Sequence, residues 1–211
     1  MPKSTSSRQW LRRQHTDDFV ARARRAGYRS RASYKLLELD QRERLFKPGQ
    51  CVLDLGAAPG GWSQVAAARI KHRAQTKKRG RVLACDILPM PPLAGVDFIQ
   101  GDFTEDAIWQ QIAQTLADTP VDLLLSDMAP NLSGQRALDQ PRAMHLAELA
   151  FDAATQMLRP GGTLVVKLFM GEGFDAYCRT ARQRFARVAV RKPAASRPRS
   201  AELYLVAHGL R

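Results

Sequence analysis

VLDLGAAPGGW (residues 52–62) is an apolar run that ends in an acid and continues into a glycine-rich turn before the helical pattern WSQVAAARI. Gly56, Gly60 and Gly61 tolerate backbone conformations that other residues avoid, and they let a ligand approach without meeting a Cβ atom. The free N–H groups at the start of the next helix would face that ligand. The stretch therefore predicts a strand, a nucleotide-cofactor loop and a helix.

The glycine spacing departs from the dinucleotide-binding pattern G-x-G-x-x-G, which speaks against a nicotinamide oxidoreductase. Gly56 is followed by Ala57 and Ala58, and Pro59 has no N–H group to offer a pyrophosphate. A cofactor without a diphosphate fits better, and S-adenosylmethionine is the leading candidate. The alternative interpretation is a strand-turn-helix corner that needs its glycines only for close packing.

Short apolar runs alternate with helical patterns along the rest of the chain. The apolar runs predict strands over residues 51–55, 81–86, 96–100, 121–127, 163–169, around 188–191 and over 202–207. The helical patterns cover residues 33–44, 62–71, 105–116, 141–158 and 174–185. This alternation predicts an α/β, Rossmann-like fold with a mostly parallel seven-stranded sheet, helices on both faces and ligands at the carboxyl ends of the strands.

The positive charge of the chain is concentrated at its two ends. The net charge is +13; residues 1–47 hold thirteen Lys and Arg against five acids, and residues 179–211 hold nine against one. The part between them is mildly acidic, with eleven bases and fourteen acids. Basic side chains that only solubilise a surface would be spread more evenly. We therefore expect the ends to grip a phosphate backbone.

The composition predicts a basic N-terminal arm over residues 1–28, with a short helix around 17–25, and a single catalytic domain over 29–211. Between Arg69 and Arg81, seven of thirteen residues are Lys or Arg, which indicates a solvated loop able to touch phosphates.

We expect a metal-free, monomeric protein of the cytoplasm without a membrane partner. No stretch of 18 consecutive apolar residues and no apolar leader region is present. There is no C-x-x-C pair, and the four histidines are too scattered for a metal site. Three distant cysteines are typical of small buried side chains in a reducing compartment; they are Cys51, Cys85 and Cys178.

Acidic residues lie at or just after the carboxyl ends of the first four predicted strands: Asp54, Asp86, Asp102 and Asp127. Asp86, after the second strand, is placed to accept hydrogen bonds from the ribose hydroxyls of an adenosine. Asp102 could accept from the adenine amino group, and Asp127 could contact the positively charged methionine end. A single such acid is more often a turn cap, but four at one edge of a sheet favour a ligand site.

Lys167 lies amid apolar residues in GGTLVVKLFM, on a predicted central strand. An unpaired ammonium group there is costly, although a lysine at the end of a strand could extend to water. A partly buried lysine near other cations loses its proton more readily and can serve as a base.

Five ordered blocks carry a resemblance over nearly the whole chain from about Arg29 onward: SRASYKLLELD, VLDLGAAPGGWSQV, SDMAPNLSG, RPGGTLVVKLF and SRPRSAELYLVA. Together they closely resemble the FtsJ/RrmJ (RlmE) ribosomal RNA large-subunit 2'-O-methyltransferases. The resemblance implies the S-adenosylmethionine-dependent methyltransferase fold. One departure is the loop at residues 71–80, which is longer and more basic than is typical of bacterial members.

The resemblance also implies a set of site residues and a substrate. A catalytic tetrad around the target ribose would comprise Lys35, Asp127, Lys167 and Glu202. Contacts to S-adenosylmethionine would come from Gly60, Trp62, Asp86, Asp102 and Asp127. The implied substrate is a uridine in the A loop of 23S ribosomal RNA, within an assembled or nearly assembled large ribosomal subunit.

Transfer of a methyl group from a sulfonium to a ribose hydroxyl depends on alignment and on removal of a proton from a very weak acid. We expect Lys167 to be the general base and Asp127 to orient it. Lys35 would be a second cation that favours loss of its proton, and Glu202 a positioning group. Two alternatives stay open: methylation of another RNA, such as a transfer RNA or a messenger cap, and a non-catalytic RNA-binding factor in ribosome assembly.

Overall fold

The computed structural model of the chain describes residues 18–71, 80–117, 119–131, 133–197 and 200–211. Most of the expected basic arm, residues 1–17, and the centre of the basic loop, residues 72–79, lie outside these ranges.

The described residues form alternating helices and strands. The helices are α1 (Asp18–Arg25), α2 (Ala32–Glu43), α3 (Gly61–Arg69), α4 (Asp106–Leu116), α5 (Arg136–Met157) and α6 (Phe174–Arg184). The strands are β1 (Cys51–Leu55), β2 (Arg81–Asp86), β3 (Val96–Gln100), β4 (Val121–Ser126), β5 (Leu158–Phe169), β6 (Phe185–Arg191) and β7 (Glu202–Leu210).

All seven strands join one sheet in the order β3-β2-β1-β4-β5-β7-β6. Strands β1 to β5 pair in parallel, and β7 is antiparallel to both β5 and β6. The expected mostly parallel, seven-stranded sheet is thereby confirmed. The strand order reverses between β1 and β4, and a crevice outside the carboxyl ends at such a reversal is where α/β sheets bind ligands.

Helices cover both faces of the sheet, as the alternating pattern predicts. Leu53 and Leu55 of β1 lie in a core with side chains of α4, α5 and α6. Val52, one residue away, lies in a second core with side chains of α2 and α3. Successive residues of a strand point to opposite faces, so one five-residue strand contributes to both cores.

The start of α5 differs from the sequence prediction. We expected a helix over residues 141–158, but the helix begins at Arg136 and contains Pro141. The Asp139 carboxylate accepts hydrogen bonds from the backbone N–H groups of Ser133 and Gly134, at 2.8 and 3.0 Å. These bonds fasten the preceding loop to the first turn of the helix.

The segment before α2 packs onto the rest of the domain. The short helix expected around residues 17–25 appears as α1, and its Ala23 is buried. The Gln64 side chain, on α3, accepts a hydrogen bond from Arg29 N at 3.0 Å and donates one to Gly27 O at 2.8 Å. The boundary between arm and catalytic domain at residue 28 stays a prediction.

The three cysteines are buried free thiols. Among the described residues, no helix is long and apolar enough to cross a membrane. In the same part of the chain, no group of three His, Cys, Asp or Glu side chains could hold a metal ion.

Candidate active site

The glycine loop between β1 and α3 is shaped by left-handed backbone and by close packing. Gly56 has φ of 73° and Gly60 has φ of 100°, values that favour glycine. A Cβ atom on Gly56 would overlap Met128, and one on Gly60 would come within 2.7 Å of Met90 Sδ. We expected the missing Cβ atoms to make room for a ligand, and this expectation is corrected: protein side chains fill that space.

Arg29 joins the glycine loop to the connection that follows β2. Its guanidinium group donates hydrogen bonds to the carbonyl oxygens of Pro91 and Pro92, at 2.7 and 2.6 Å. A longer bond of 3.3 Å reaches Pro59 O in the glycine loop. The sequence analysis gave Arg29 no role, because an arginine in a basic segment carries no sign that it will bind three carbonyl groups.

Asp86 lies at the carboxyl end of β2, beside the glycine loop. Its two carboxylate oxygens accept hydrogen bonds from the backbone N–H groups of Ala58 and Leu88, each at 2.8 Å. One bond per oxygen fixes the carboxylate and leaves each oxygen a lone pair for another donor. Its contact with ribose hydroxyls stays a prediction.

Asp102 follows β3 and forms a local turn. Its Oδ1 accepts hydrogen bonds from Thr104 N at 2.9 Å and from Thr104 Oγ1 at 2.7 Å. This is the turn-capping arrangement that the sequence allows for any single aspartate. Its contact with an adenine amino group stays a prediction.

Trp62 occupies the first turn of α3, and its side chain belongs to the core. The indole Nε1 donates to Ala32 O at 2.9 Å, and its ring lies 5.6 Å from the Tyr204 ring, centroid to centroid. A ligand contact from Trp62 would therefore use its backbone N–H, which has no acceptor within the helix at this position.

Asp54 is a buried carboxylate under the glycine loop, with 1% of its surface exposed. Ser63 Oγ donates to its Oδ2 at 2.6 Å, while Oδ1 has no hydrogen-bond partner among the described residues. Burial, together with the charges of Asp127 and Asp86 and against the Ser63 hydrogen bond, raises the pKa of Asp54 to about 7. The sequence analysis noted this acid but assigned it no contact. Its position inside an apolar strand could have indicated a buried carboxylate.

Lys167 and Asp127 form an ion pair at the carboxyl edge of the sheet. Lys167 Nζ lies 2.6 Å from Asp127 Oδ1 and donates to the Asp127 backbone oxygen at 2.7 Å. Their side chains are 7% and 16% exposed, so the pair lies beneath the surface but within reach of it. Lys167 therefore has a charged partner, as expected for a lysine in an apolar strand, where an unpaired ammonium group would be costly.

Glu202 links this pair to Lys35, which comes from α2. Lys35 Nζ lies 2.7 Å from Glu202 Oε1, and Lys167 Nζ lies 3.9 Å from Glu202 Oε2. The four residues of the expected tetrad therefore form one continuous cluster of two ammonium and two carboxylate groups. Contributions from α2, β5, β7 and the residue after β4 converge on this point.

Tyr204 and Ser196 complete the cluster, and the sequence analysis missed both. Tyr204 Oη donates to Asp127 Oδ1 at 2.6 Å and accepts from Lys35 Nζ at 3.0 Å. Ser196 Oγ donates to Glu202 Oε1 at 2.8 Å. Tyr204 could have been found, because it follows Glu202 by two residues on a strand and so points to the same face.

The electrostatics of the cluster keep its carboxylates ionised. Burial raises the pKa of Asp127, but the charges of Lys167 and Lys35 and the hydrogen bonds from Lys167 and Tyr204 bring it below its ordinary value. Burial also raises the pKa of Glu202, but the charges of Lys35 and Lys167 bring it below its ordinary value. Burial and the two carboxylates raise the pKa of Tyr204 well above 10, so its hydroxyl stays a donor.

The family comparison covers nearly the whole chain. Residues 28–210 match the profile of a family described as FtsJ-like methyltransferase. The chain belongs to the FtsJ-like methyltransferase family. Membership confirms the resemblance drawn from the five sequence blocks and makes the protein a methyltransferase.

Several curated proteins resemble this FtsJ-like methyltransferase along its whole length. A Pseudomonas aeruginosa (strain PAO1) protein named Ribosomal RNA large subunit methyltransferase E is 54% identical over 211 residues, covering 100% of this chain and 99% of the relative. A protein of the same name from Alkalilimnicola ehrlichii is 57% identical over 203 residues, covering 96% of this chain and 94% of the relative.

A solved structure extends the likeness to three dimensions. A crystal structure of a Plasmodium falciparum protein, provisionally named a ribosomal RNA methyltransferase, superimposes with a TM-score of 0.76 at 30% identity. The match covers 87% of this chain and 98% of the other.

The FtsJ-like methyltransferase fold brings two chemically different regions together. One is the edge of the sheet at the β1/β4 reversal, where the glycine loop, Asp54 and Asp86 lie. The other is the cluster around Lys167, in which the amino groups of Lys167 and Lys35 lie beside the carboxylates of Asp127 and Glu202.

Proposed function

We propose that this chain transfers a methyl group from S-adenosylmethionine to the ribose 2'-hydroxyl of a uridine in the A loop of 23S ribosomal RNA, acting on the large ribosomal subunit. The observation that carries the proposal is the cluster in which Lys167 Nζ lies 2.6 Å from Asp127 Oδ1, next to the cofactor crevice. Full-length relatives at 54% and 57% identity, named Ribosomal RNA large subunit methyltransferase E, support the choice of substrate.

The residues at the crevice fit S-adenosylmethionine. Asp86 would accept the ribose hydroxyls, Asp102 the adenine amino group, and the N–H groups after Gly60 would face the methionine carboxylate. Asp127, and the buried Asp54 oxygen that lacks a partner among the described residues, offer negative charge to an ammonium group. When bound, S-adenosylmethionine supplies an electrophilic methyl group on a positively charged sulfur.

Removal of the proton from the ribose hydroxyl is assigned to Lys167. After its ammonium proton has passed to solvent, the neutral Lys167 Nζ would accept the hydroxyl proton as the new C–O bond forms, and Asp127 would fix the direction of the amino group through the 2.6 Å contact. Because Tyr204 donates to the same carboxylate oxygen, the Asp127 side chain keeps one orientation through the reaction. Groups held in place in this way contribute to the rate of methyl transfer by aligning the reacting atoms.

Lys35 and Glu202 balance the charge around the base. Glu202 lies closer to Lys35 than to Lys167, 2.7 Å against 3.9 Å, so Lys35 takes up most of its negative charge. This leaves Asp127 as the main carboxylate beside Lys167. We assign Lys35 a charge-balancing role and Glu202 a positioning role.

The substrate assignment is tested by offering the protein labelled S-adenosylmethionine with unmethylated large ribosomal subunits, naked 23S RNA, transfer RNA or capped messenger RNA. We expect label in the subunits, and one 2'-O-methyluridine in the A loop when the product is mapped. Label in transfer RNA or a cap would move the assignment to another RNA. Binding to subunits with no methyl transfer would favour a non-catalytic assembly factor.

We further propose that the protein works as a metal-free monomer in the cytoplasm. Equilibrium sedimentation should give the mass of a single chain, and a chelator should leave methyl transfer unchanged. Fractionation of cells that produce the protein should find it in the cytoplasm; a dimer mass, loss of activity with chelator or recovery in a membrane fraction would contradict the respective part.

A further inference from the structure

Phe169 is the last residue of β5 and lies on the face of the sheet that carries the tetrad. In the antiparallel pair of β5 and β7 it is directly opposite Glu202, as Lys167 is opposite Tyr204. Side chains two residues apart on a strand point to the same face, about 7 Å from each other. The Phe169 ring and the Lys167 side chain therefore project to one side of the sheet.

Phe169 differs from the other phenylalanines of the chain in what surrounds it. The other seven pack against a hydrophobic core or, in one case, against a tyrosine ring: Phe19, Phe46, Phe98, Phe103, Phe151, Phe174 and Phe185. Within the part of the chain that the structure describes, Phe169 packs against none of these cores and pairs with no aromatic ring. Its side chain is partly exposed, so the ring can stack on a bound molecule.

The tetrad separates Phe169 from the core on its face of the sheet. Val165, two residues before Lys167 on β5, belongs to the core that includes side chains of α2 and α3. Lys167 follows with its amino group beside Asp127, and Phe169 comes after it at the carboxyl edge. The ring therefore lies on the open side of the tetrad, at the edge where α/β sheets bind their ligands.

Hydrogen bonds from neighbouring elements hold the backbone around Phe169 in place. Gln140 Nε2, from α5, donates to Phe169 O at 3.2 Å and to Glu172 O at 2.9 Å. Met170 N donates to Ala201 O at 2.9 Å, which continues the pairing of β5 and β7 by one residue. A ring on a fixed backbone loses little freedom when a ligand stacks on it.

We propose that Phe169 binds the uracil ring of the target uridine by stacking, beside the ribose that faces Lys167. The inference rests on the proposed function for the identity of the nucleotide. The base is attached to the ribose carbon next to the one that carries the 2'-hydroxyl, so a hydroxyl at Lys167 brings the base close to the end of β5. Proteins that recognise single-stranded RNA stack its bases on aromatic side chains in this way.

The adenine of S-adenosylmethionine is the other flat ring expected near the site, and its expected position is different. Its proposed contact, Asp102, follows β3, and the proposed ribose contact, Asp86, ends β2, whereas Phe169 lies on β5. In the sheet, β1 and β4 separate β2 from β5. A base of the RNA is therefore the flat ring that suits Phe169.

The test compares Phe169→Leu with Phe169→Tyr in the full-length chain, on unmethylated large ribosomal subunits. Leucine keeps an apolar side chain without a ring, whereas tyrosine keeps the ring. Met170→Ala is the matched control, because it removes an exposed apolar side chain from the next position, which points to the other face of the sheet. Subunit affinity is measured by sedimentation, and turnover by transfer of labelled methyl groups.

The ring should matter more than the apolar surface alone. For Phe169→Leu we expect a roughly five- to fiftyfold fall in kcat/KM together with weaker subunit binding, because each base stacked on an aromatic side chain contributes substantially to affinity. Phe169→Tyr and Met170→Ala should stay within about threefold of wild type in both measurements. The dissociation constant for S-adenosylmethionine should stay within about twofold of wild type in all three variants.

Three results would overturn the inference. One is a Phe169→Leu protein with the kcat/KM and subunit affinity of Met170→Ala. Another is an equal loss in Phe169→Leu and Phe169→Tyr, since the ring would then not be the group required. The third is a displaced pH–rate profile with unchanged subunit affinity, because the ring would then only shield the tetrad from water.

Large subunits reconstituted with 5,6-dihydrouridine at the target position identify the base that stacks. Because this base is not planar, kcat/KM of the wild-type protein should fall towards that of Phe169→Leu, and the variant should lose little more. Fully additive losses would show that the ring contacts another base and would overturn the inference. A wild-type protein that binds subunits without methylating them would instead defeat the proposed function, while the subunit affinities of the Phe169 variants would still decide whether the ring stacks on RNA.

Discussion

Tyr204 lies directly opposite Lys167 on the antiparallel pair of β7 and β5, and both side chains contact Asp127 Oδ1 at 2.6 Å. The register of two strands therefore brings the Lys167 amino group and a fixed hydroxyl donor to one carboxylate oxygen. Tyr204 is also fully buried against Trp62, so the hydroxyl is held by packing as well as by hydrogen bonds.

Replacing Tyr204 with Phe should slow methyl transfer without preventing folding. Removing a hydrogen bond to an ionised group costs about 1.5–3 kcal/mol, which corresponds to a fall in kcat of roughly ten- to a hundredfold. Single-turnover kinetics on large subunits would measure it, with S-adenosylmethionine affinity by calorimetry as the control. Wild-type kcat in Tyr204→Phe would show that the hydroxyl only fills space.

Replacing Arg29 with Lys should weaken binding of S-adenosylmethionine. The variant keeps the positive charge, but one ammonium group cannot replace a planar guanidinium that binds Pro91 O, Pro92 O and Pro59 O together. We expect a roughly five- to tenfold higher dissociation constant, because each lost hydrogen bond is worth about 1 kcal/mol and the two loops are no longer joined.

The control for Arg29→Lys is Arg25→Ala, which removes a charge from exposed α1. Calorimetry of both variants separates charge from geometry. Should Arg25→Ala lose as much cofactor affinity as Arg29→Lys, long-range charge would explain the result and the bridging role would be wrong.

Replacing Asp54 with Asn should make the cofactor-free protein more stable above neutral pH. The folded-state pKa of about 7 lies above the ordinary value of 3.8, so the folded protein keeps a proton that the unfolded chain releases. The contribution of Asp54 to the free energy of unfolding of wild type should therefore fall by up to about 4 kcal/mol as the pH rises from about 4 to 7. Above that pH it should level off.

Denaturant unfolding between pH 4 and 8 measures this effect. The stability of Asp54→Asn should not show this fall with pH and should exceed that of wild type at pH 8. The variant should nevertheless bind S-adenosylmethionine more weakly, because a negative charge is gone from the cofactor site. Parallel stability curves for the two proteins would refute the assignment of a raised pKa to this residue.

The sheet and its ligand edge were predictable from the sequence because short apolar runs bounded by turn residues are local signals. The strands over residues 51–55, 81–86 and 96–100 appear with those bounds in the structure. The beginning of α5 was not predictable to the same degree, since Asp139 accepts hydrogen bonds from the N–H groups of Ser133 and Gly134 in the loop before the helix, and the sequence pattern does not show this pairing.

Within the candidate site, the sequence pointed to residues with unusual local surroundings. It missed residues that act through long-range contacts. Lys167 stood out because charge in an apolar strand is rare. The three carbonyl contacts of Arg29 join positions 30 to 63 residues apart, and Ser196 reaches Glu202 only after the β6–β7 connection has folded. The roles of Lys35 and Glu202 came from the family resemblance, and the structure supplies their distances.

The most direct test of the central claim is a comparison of wild-type protein with Lys167→Ala and Lys167→Arg on unmethylated large subunits, with the 2'-O-methyluridine quantified by mass spectrometry. Loss of a general base should lower single-turnover methyl transfer about 10²- to 10⁴-fold in both variants. Binding of S-adenosylmethionine and of subunits should stay within about twofold of wild type for Lys167→Arg, which retains the positive charge. Methyl transfer by Lys167→Ala at the wild-type rate would contradict the account.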